Sequence, residues 1–191
     1  VAAAKNAPED QVGQINYAAE QFRAGNYRQV VKTCDKFFKT TRNSPLGEAA
    51  WWLKGEAIFV ERDYYHAFVA YEDLVKNFAG SPLVEKALRR EFECAEALLG
   101  PARRIVLGMP LGNGEDEGIA ILEKVYGHRP TGPLAPDAIF RIGEYMMDHG
   151  RFEEAEDQFR KFTKEFPNNP RTRQAELLAA KTAMASDPGP Q

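Results

Sequence analysis

The sequence predicts an all-α fold, a right-handed solenoid of helix pairs, and three observations carry that expectation. Prolines recur at Pro8, Pro45, Pro82, Pro133 and Pro170, at intervals of 37, 37, 51 and 37 residues, and 51 is 37 with an insertion of 14. The residues between them keep register. Five after four of these prolines stands an alanine (Ala50, Ala87, Ala138, Ala175), and ten after two of them a glycine (Gly55, Gly143), with Ala18 and Phe92 in the other units. Fifteen before the next proline come Val30, Ala67, Gly118 and Ala155, four further on Cys34, Tyr71, Leu122 and Phe159, and three beyond those Phe37, Leu74, Val125 and Phe162. A small residue followed at i+4 and i+7 by large ones sets all three on one helical face, the small one admitting a neighbouring helix. The third observation is a tight turn in the middle of the units, RAGNY, VERDY or DHGRF, with Gly25 and Gly150 suited to a left-handed helix end. Such pairs bury their apolar faces only by stacking on their neighbours.

Taken in order, helices are expected at about 9–24, 27–41, 45–61, 64–78, 83–99, 116–127, 135–149, 152–166 and 171–185, and no strand is required. In NSPLGEA and GSPLVEKA a serine precedes the proline, which predicts a serine N-cap, proline at the first helical position and Glu48 or Glu85 near the positive end of the helix dipole. NNPRTRQA offers Asn169 as the cap but places Arg171 and Arg173 where acids are favoured, which helix electrostatics does not account for. The whole chain, 1–191, is expected to form one repeat domain. Its units run over about 8–44, 45–81, 82–132 with the 14-residue insertion near 101–114, and 133–169, followed by a closing helix at 170–185. Pro188 and Pro190 stop any helix in the SDPGPQ tail, which is expected to fray.

Composition narrows the function. With 43% hydrophobic and 28% charged residues the chain reads as globular. A net charge of −3 with acidic and basic residues interleaved argues against nucleic acid as a partner. No apolar run approaches the roughly 18 to 20 residues of a membrane span, and the opening VAAAKNAPEDQ is too polar for an export signal. A start at Val1 suggests that something was removed. Cys34 and Cys94 sit in helix-like segments without a CxxC, as small buried hydrophobes. His66, His128 and His149 are far apart and form no i,i+4 pair, so no metal site is expected. GMPLGNGEDEG lacks the GK[ST] of a phosphate loop, and there is no GxSxG. The expectation is a protein that is not an enzyme and needs no cofactor.

The order Gly55, Ala67, Tyr71, Leu74 and its echo Gly143, Ala155, Phe159, Phe162 resembles the tetratricopeptide repeat, here 37 residues long. Within that superfamily, YEDLVKNFAGSP, FRKFTKEFPNNP and AIFRIGEYMMDHGRFEEAEDQF resemble the BamD (YfiO) family of outer-membrane assembly lipoproteins, over residues 12 to 185. The resemblance implies a periplasmic, outer-membrane-associated scaffold with protein or peptide partners, among them a β-barrel assembly protein. It also implies membrane contact only through a lipidated N-terminal cysteine, which this chain does not carry. The insertion GPARRIVLGMPLGNGEDEG is a second departure. A periplasmic repeat protein of the Tol-Pal or cell-division kind, and a cytosolic tetratricopeptide adaptor, stay open as alternatives.

The family pattern puts the first helix of each pair on a partner-binding groove, which would be lined by Ile15, Phe22, Trp52, Glu56, Phe59, Arg89, Glu93, Phe140, Glu144 and Met147. Glu56, Glu93 and Glu144 each stand eleven residues after a proline. They are expected to form a carboxylate ladder beside Trp52 and Phe140 for an extended or helical peptide, or else to bond between adjacent helices while the rings are core. In the insertion, Arg103 and Arg104 beside Ile105 and Leu107 suggest a docking element, since long connections inside compact arrays tend to be functional or disordered.

Overall fold

A computed structural model describes residues 10–40, 44–100, 105–106, 109–110 and 114–186 of the chain. Among them are nine helices, α1 (Gln11–Arg23), α2 (Tyr27–Thr40), α3 (Gly47–Val60), α4 (Tyr64–Asn77), α5 (Val84–Leu99), α6 (Glu115–His128), α7 (Ala135–Asp148), α8 (Phe152–Glu165) and α9 (Thr172–Ser186). Each expected helix is present, with ends displaced by no more than two residues. One feature departs from the expectation that no strand is needed. Within the insertion, β1 (Ile105–Val106) and β2 (Met109–Pro110) form a two-residue antiparallel ladder pairing Ile105 with Pro110 and Val106 with Met109. Two β-branched residues followed closely by glycine and proline suit a hairpin better than a helix.

The chain divides into two compact units, Val1–Gly118 and Ile119–Gln191. In the first, α1 packs on α2, α2 on α3, α3 on α4 and α4 on α5, and α1 also touches α3; in the second, α7 packs on α8 and α8 on α9. Within each of these two runs a helix lies on its neighbour in sequence, the packing of an α-solenoid. The core sits where the repeat places it. Val30, Ala67, Ala155, Cys34, Tyr71, Leu122, Phe159, Phe37, Leu74 and Phe162 are fully buried, as are the four alanines that follow the prolines. Between paired helices the backbone approach is close: a Cβ added at Gly55 would lie 2.5 Å from the Tyr71 ring, and one at Gly143 2.8 Å from Phe159. Only a residue without a side chain lets the aromatic of the second helix lie against the first.

The turns inside the pairs repeat one geometry. At the end of α1 the Gly25 amide bonds Phe22 O and the Asn26 amide bonds Gln21 O; Arg62 with Asp63 and Gly150 with Arg151 make the same two bonds to Phe59 and Ile58, and to Met147 and Met146. This is the double closure of a helix C-terminus by a left-handed residue. Gly25, Arg62 and Gly150 occupy it at φ 77°, 63° and 73°. Arg62 therefore carries a side chain where its two equivalents carry none.

The turns between pairs correct the expected serine caps. α3 and α5 begin two residues later than a serine N-cap requires, after Leu46 and Leu83, which make no side-chain cap. Ser44 Oγ instead accepts from the Leu46 amide at 3.2 Å and Ser81 Oγ from the Leu83 amide at 3.0 Å, while the Gly47 and Val84 amides close back on the serine carbonyls. Asn169 Oδ1 receives the Arg171 amide in the same way at 3.0 Å. The motif is a side-chain-stabilised turn that delivers the chain to the helix, with proline holding its φ. The structure also explains Arg171. Its guanidinium bonds Asp137 and lies 4.6 Å from the Phe140 ring centroid and 5.7 Å from that of Phe162, so tertiary contacts decide its position.

These contacts have measurable consequences. Ala67→Leu and Ala155→Leu should each overpack a helix interface and cost about 1–3 kcal/mol in urea unfolding; neutrality at both would mean that the buried face is misassigned. At the left-handed turn position, Arg62→Gly should stabilise by roughly 0.5–1 kcal/mol and Gly150→Ala destabilise by about 1 kcal/mol in the same assay.

Candidate functional site

The sequence places Glu56 one turn beyond Trp52 on α3, and Arg90 and Glu93 three apart on one side of α5. The stacking of the first unit brings the three together. Arg90 Nε and Nη2 donate to Glu56 Oε1 and Oε2 at 2.8 and 2.9 Å, and Nη1 donates to Glu93 Oε2 at 2.6 Å. The Tyr71 hydroxyl, from α4, donates to Glu56 Oε1 at 2.6 Å. Below the guanidinium, 4.7 Å from its carbon, lies the ring of Phe59, which meets Tyr64 edge-on; the Trp52 ring centroid is 5.7 Å from that of Tyr71. The result is a carboxylate–guanidinium–carboxylate relay joining α3 to α5, with half-buried rings beside it.

Exposure grades across the relay. The Glu56 side chain is 15% exposed, Arg90 32% and Glu93 41%, so one end is set in the protein and the other meets solvent. Hydrogen bonding to Glu56, reinforced by Glu93, holds the Arg90 guanidinium firmly protonated. Burial pushes the Tyr71 phenol well above its usual range, and its bond to Glu56 adds to the shift. Tyr71 is therefore a fixed donor, and the arrangement supplies recognition by charge and hydrogen bonding.

The expected groove residues are distributed as follows. Glu56, Glu93, Phe59 and Trp52 are half-buried around the relay. Arg89 is exposed, and the neighbouring Arg90 occupies the network. Ile15 and Phe22 pack partly buried against the cluster of Ala18, Val30, Cys34 and Phe37. Phe140 is 2% exposed, with Phe159 and Phe162 edge-on at 5.5 and 5.3 Å, so its ring belongs to the interior of the second unit. Glu144 and Met147 are half-buried on α7, in that second unit. Arg103, Arg104 and Leu107 lie outside the described residues, and only the backbone of Ile105 is described. Reading the sequence missed Arg90, although its spacing of three from Glu93 was a usable signal. It also treated Tyr71 as packing alone, although a buried tyrosine hydroxyl needs a partner.

Several other titratable groups have local roles. Cys34 and Cys94 are buried and unbridged, and burial pushes the Cys34 thiol up to about 12 and raises that of Cys94. The His66 ring lies 2.9 Å from Asp63, whose carboxylate also receives the His66 amide at the start of α4. The His149 ring bonds Tyr145 O at 2.8 Å and stacks on the Tyr145 ring. A separate cleft of about 560 Å³ lies between α2, α3 and α4, floored by Val31, Trp51, Ile58 and Val69. At its side Lys54 bonds Asp35 at 2.7 Å, and burial raises the Asp73 carboxyl above the usual range.

No family model and no curated protein matches this chain. Among solved structures it is similar to the nearly identical TPR-like repeats of a Podosopora anserina protein described as a kinesin light chain, at 15% identity over 94% of this chain and 89% of that one, with a TM-score of 0.46. A substituted form of the same repeats gives 15% identity over 96% and 89%, with a TM-score of 0.45. The fold described above rests on its own packing and register. It is an all-α solenoid of helix pairs.

The relay yields a measurable coupling. In a double-mutant cycle, Arg90→Met with Glu56→Gln should return an interaction of about 1–2 kcal/mol, below the range for fully buried pairs because Arg90 is partly hydrated. Arg89→Met with Glu56→Gln should return none.

Proposed function

We propose that this chain is a non-catalytic protein-interaction scaffold whose α3–α5 surface receives an extended or helical peptide. The observation that carries the reading is the Glu56–Arg90–Glu93 relay, graded from buried to exposed and flanked by Trp52 and Phe59. A peptide carrying a lysine or arginine can bond Glu93 at the exposed end without disturbing Glu56, while its apolar side chains cover the half-buried rings. Charges held in place before binding cost less to order when the partner arrives. Among the described residues no helix is long and apolar enough to cross a membrane.

Within that reading, the repeat phrases that resemble the BamD (YfiO) family favour a periplasmic, outer-membrane-associated role in β-barrel protein assembly. The test is affinity capture with this chain from detergent-solubilised envelopes of its source organism, beside a Glu93→Arg variant whose fold is checked by its unfolding curve. Recovery of a large β-barrel assembly protein, lost with Glu93→Arg, is the expected outcome. Recovery only of peptidoglycan-associated or cytosolic proteins, sensitive to the same substitution, would keep the surface and replace the pathway. Partners indifferent to Glu93→Arg would remove the surface itself.

A further inference from the structure

The cleft between α2, α3 and α4, about 560 Å³ in volume, is used neither by the relay nor by the repeat pattern. Its volume is that of a site able to enclose a ligand. α3 carries two separate stripes: Trp52, Glu56 and Phe59 stand around the relay, while Trp51, Lys54 and Ile58 line the cleft. Trp51, Lys54 and Ile58 lie six, nine and thirteen residues after Pro45, and the same register after Pro133 gives Ile139, Ile142 and Met146, all buried within the second unit. Where α7 buries isoleucines, α3 places a tryptophan and a lysine that stay half-buried at an open wall. Asp73, on α4, likewise stands where α8 carries Lys161.

Most charges of this lining are matched. Lys54 bonds Asp35 at 2.7 Å and lies 5.1 Å from the Trp51 ring centroid, the His66 ring lies 2.9 Å from Asp63, and Arg28 approaches Glu61 at 3.8 Å. Lys32, on α2, is exposed and is satisfied by water. Asp73 differs, because it is half-buried and its carboxylate forms no hydrogen bond or ion pair among the described residues. Burial raises its carboxyl above the usual range, and the two lysines that oppose the shift are bonded elsewhere, Lys54 to Asp35 and Lys76 to Glu72. A carboxylate held partly out of water without a counter-ion is the complement of a cation brought by a ligand.

We infer that this cleft binds an extended segment of a partner protein that carries apolar side chains and a lysine or arginine, with the cation paired to Asp73. The shape favours a peptide over a compact amine. The lining runs along α4 from Asp63 to Asp73, about 15 Å at the rise of a helix, a length that roughly five residues of extended chain span. Alternate side chains of such a chain face one way. Two apolar ones can cover Val31, Ile58 and the exposed Val69, and a third, basic, reaches Asp73 at the Lys54 end. The peptide's N–H and C=O groups find acceptors and donors among the charged pairs of the rim, which a simple amine would leave unused. The inference is separate from the α3–α5 surface, since it rests on Trp51 and Asp73 where that reading rests on Trp52 and Glu93.

The two tryptophans give each surface its own signal. The full chain, isotope-labelled at its indole nitrogens, is titrated by NMR with the acetylated and amidated pentapeptide Leu-Ser-Leu-Ser-Lys and with its reverse, and Trp51→Phe assigns the two signals. The expected result is a saturable shift of the Trp51 signal by one of these peptides, with the Trp52 signal unmoved. Replacing the peptide's lysine by norleucine, or Asp73→Asn in the chain, should weaken binding at least about tenfold. The unfolding curve of Asp73→Asn should show no loss of stability, because the carboxylate makes no bond that the fold depends on. The inference is overturned if neither peptide shifts Trp51 up to about 1 mM, if the norleucine peptide binds as well as the lysine one, or if Asp73→Asn leaves the affinity unchanged. A shift of Trp52 alone would overturn it by placing the peptide on the α3–α5 surface. So would n-hexylamine acting on Trp51 as strongly as the peptide, which would make the occupant a small amine, or self-association of the free chain abolished by Asp73→Asn, which would make it a second copy.

Discussion

Close approach of the paired helices is the constraint on which the rest of this structure depends. It is made possible at Gly55 and Gly143, where an added Cβ would collide with the facing ring of Tyr71 or Phe159. Each ring reaches into the space a side chain would have filled, and the buried small residues on the partner helix, Ala67 and Ala155, bring the opposite backbone near. The interior is close-packed, so little slack is available to absorb a change at these points. The rings then act as pegs that set the position of one helix along the other. The left-handed turns at Gly25, Arg62 and Gly150 bring the chain back at a pitch that suits this pegging.

The polar contacts of the candidate site inherit that placement. Tyr71 is held against Gly55, and its hydroxyl consequently ends 2.6 Å from Glu56, one residue on. Glu56 is thereby oriented toward α5, and Arg90 completes its hydrogen bonding with two parallel donors. A bidentate pair of this kind gains directionality as well as energy, and the partial burial of Glu56 protects it from screening. Glu93, at the more exposed end, is half-buried and bonded to Arg90, and offers a partner its remaining charge. In the second unit Arg171 similarly joins a charge to a pair of rings, bonding Asp137 and lying over Phe140 and Phe162. In both units a cation rests on an aromatic of the first helix in a pair, so packing and electrostatics act at the same place.

Much of this was legible in the residues because the repeat writes the same physical solution several times. One helix with a small residue at i and larger apolar ones at i+4 and i+7 is weak evidence, whereas four in constant register set fold class, helix bounds, turn positions and most of the core. That reliability comes from local physics: periodicity decides which face is buried, and glycine or proline decides where the chain turns. The residues did not reveal which of two adjacent arginines faces Glu56, because Arg89 and Arg90 both satisfy the helical spacing to Glu93 and only the angle between α3 and α5 separates them. Nor did they reveal that Phe140 is interior while Trp52, at the same register position, is half-buried, since that depends on two rings arriving from α8 and on Arg171, just ahead of α9. The turn at Ser44 and Ser81 lay between the two cases: the residue types were right, but the start of the helix was shifted by the serine side chain bonding the leucine two residues on. The sequence by itself determined an all-α solenoid of helix pairs, because the period of the pattern needs no partner to be read. Only the tertiary structure decided which side chains meet, because contacts between helices depend on rotations and offsets that no single helix records.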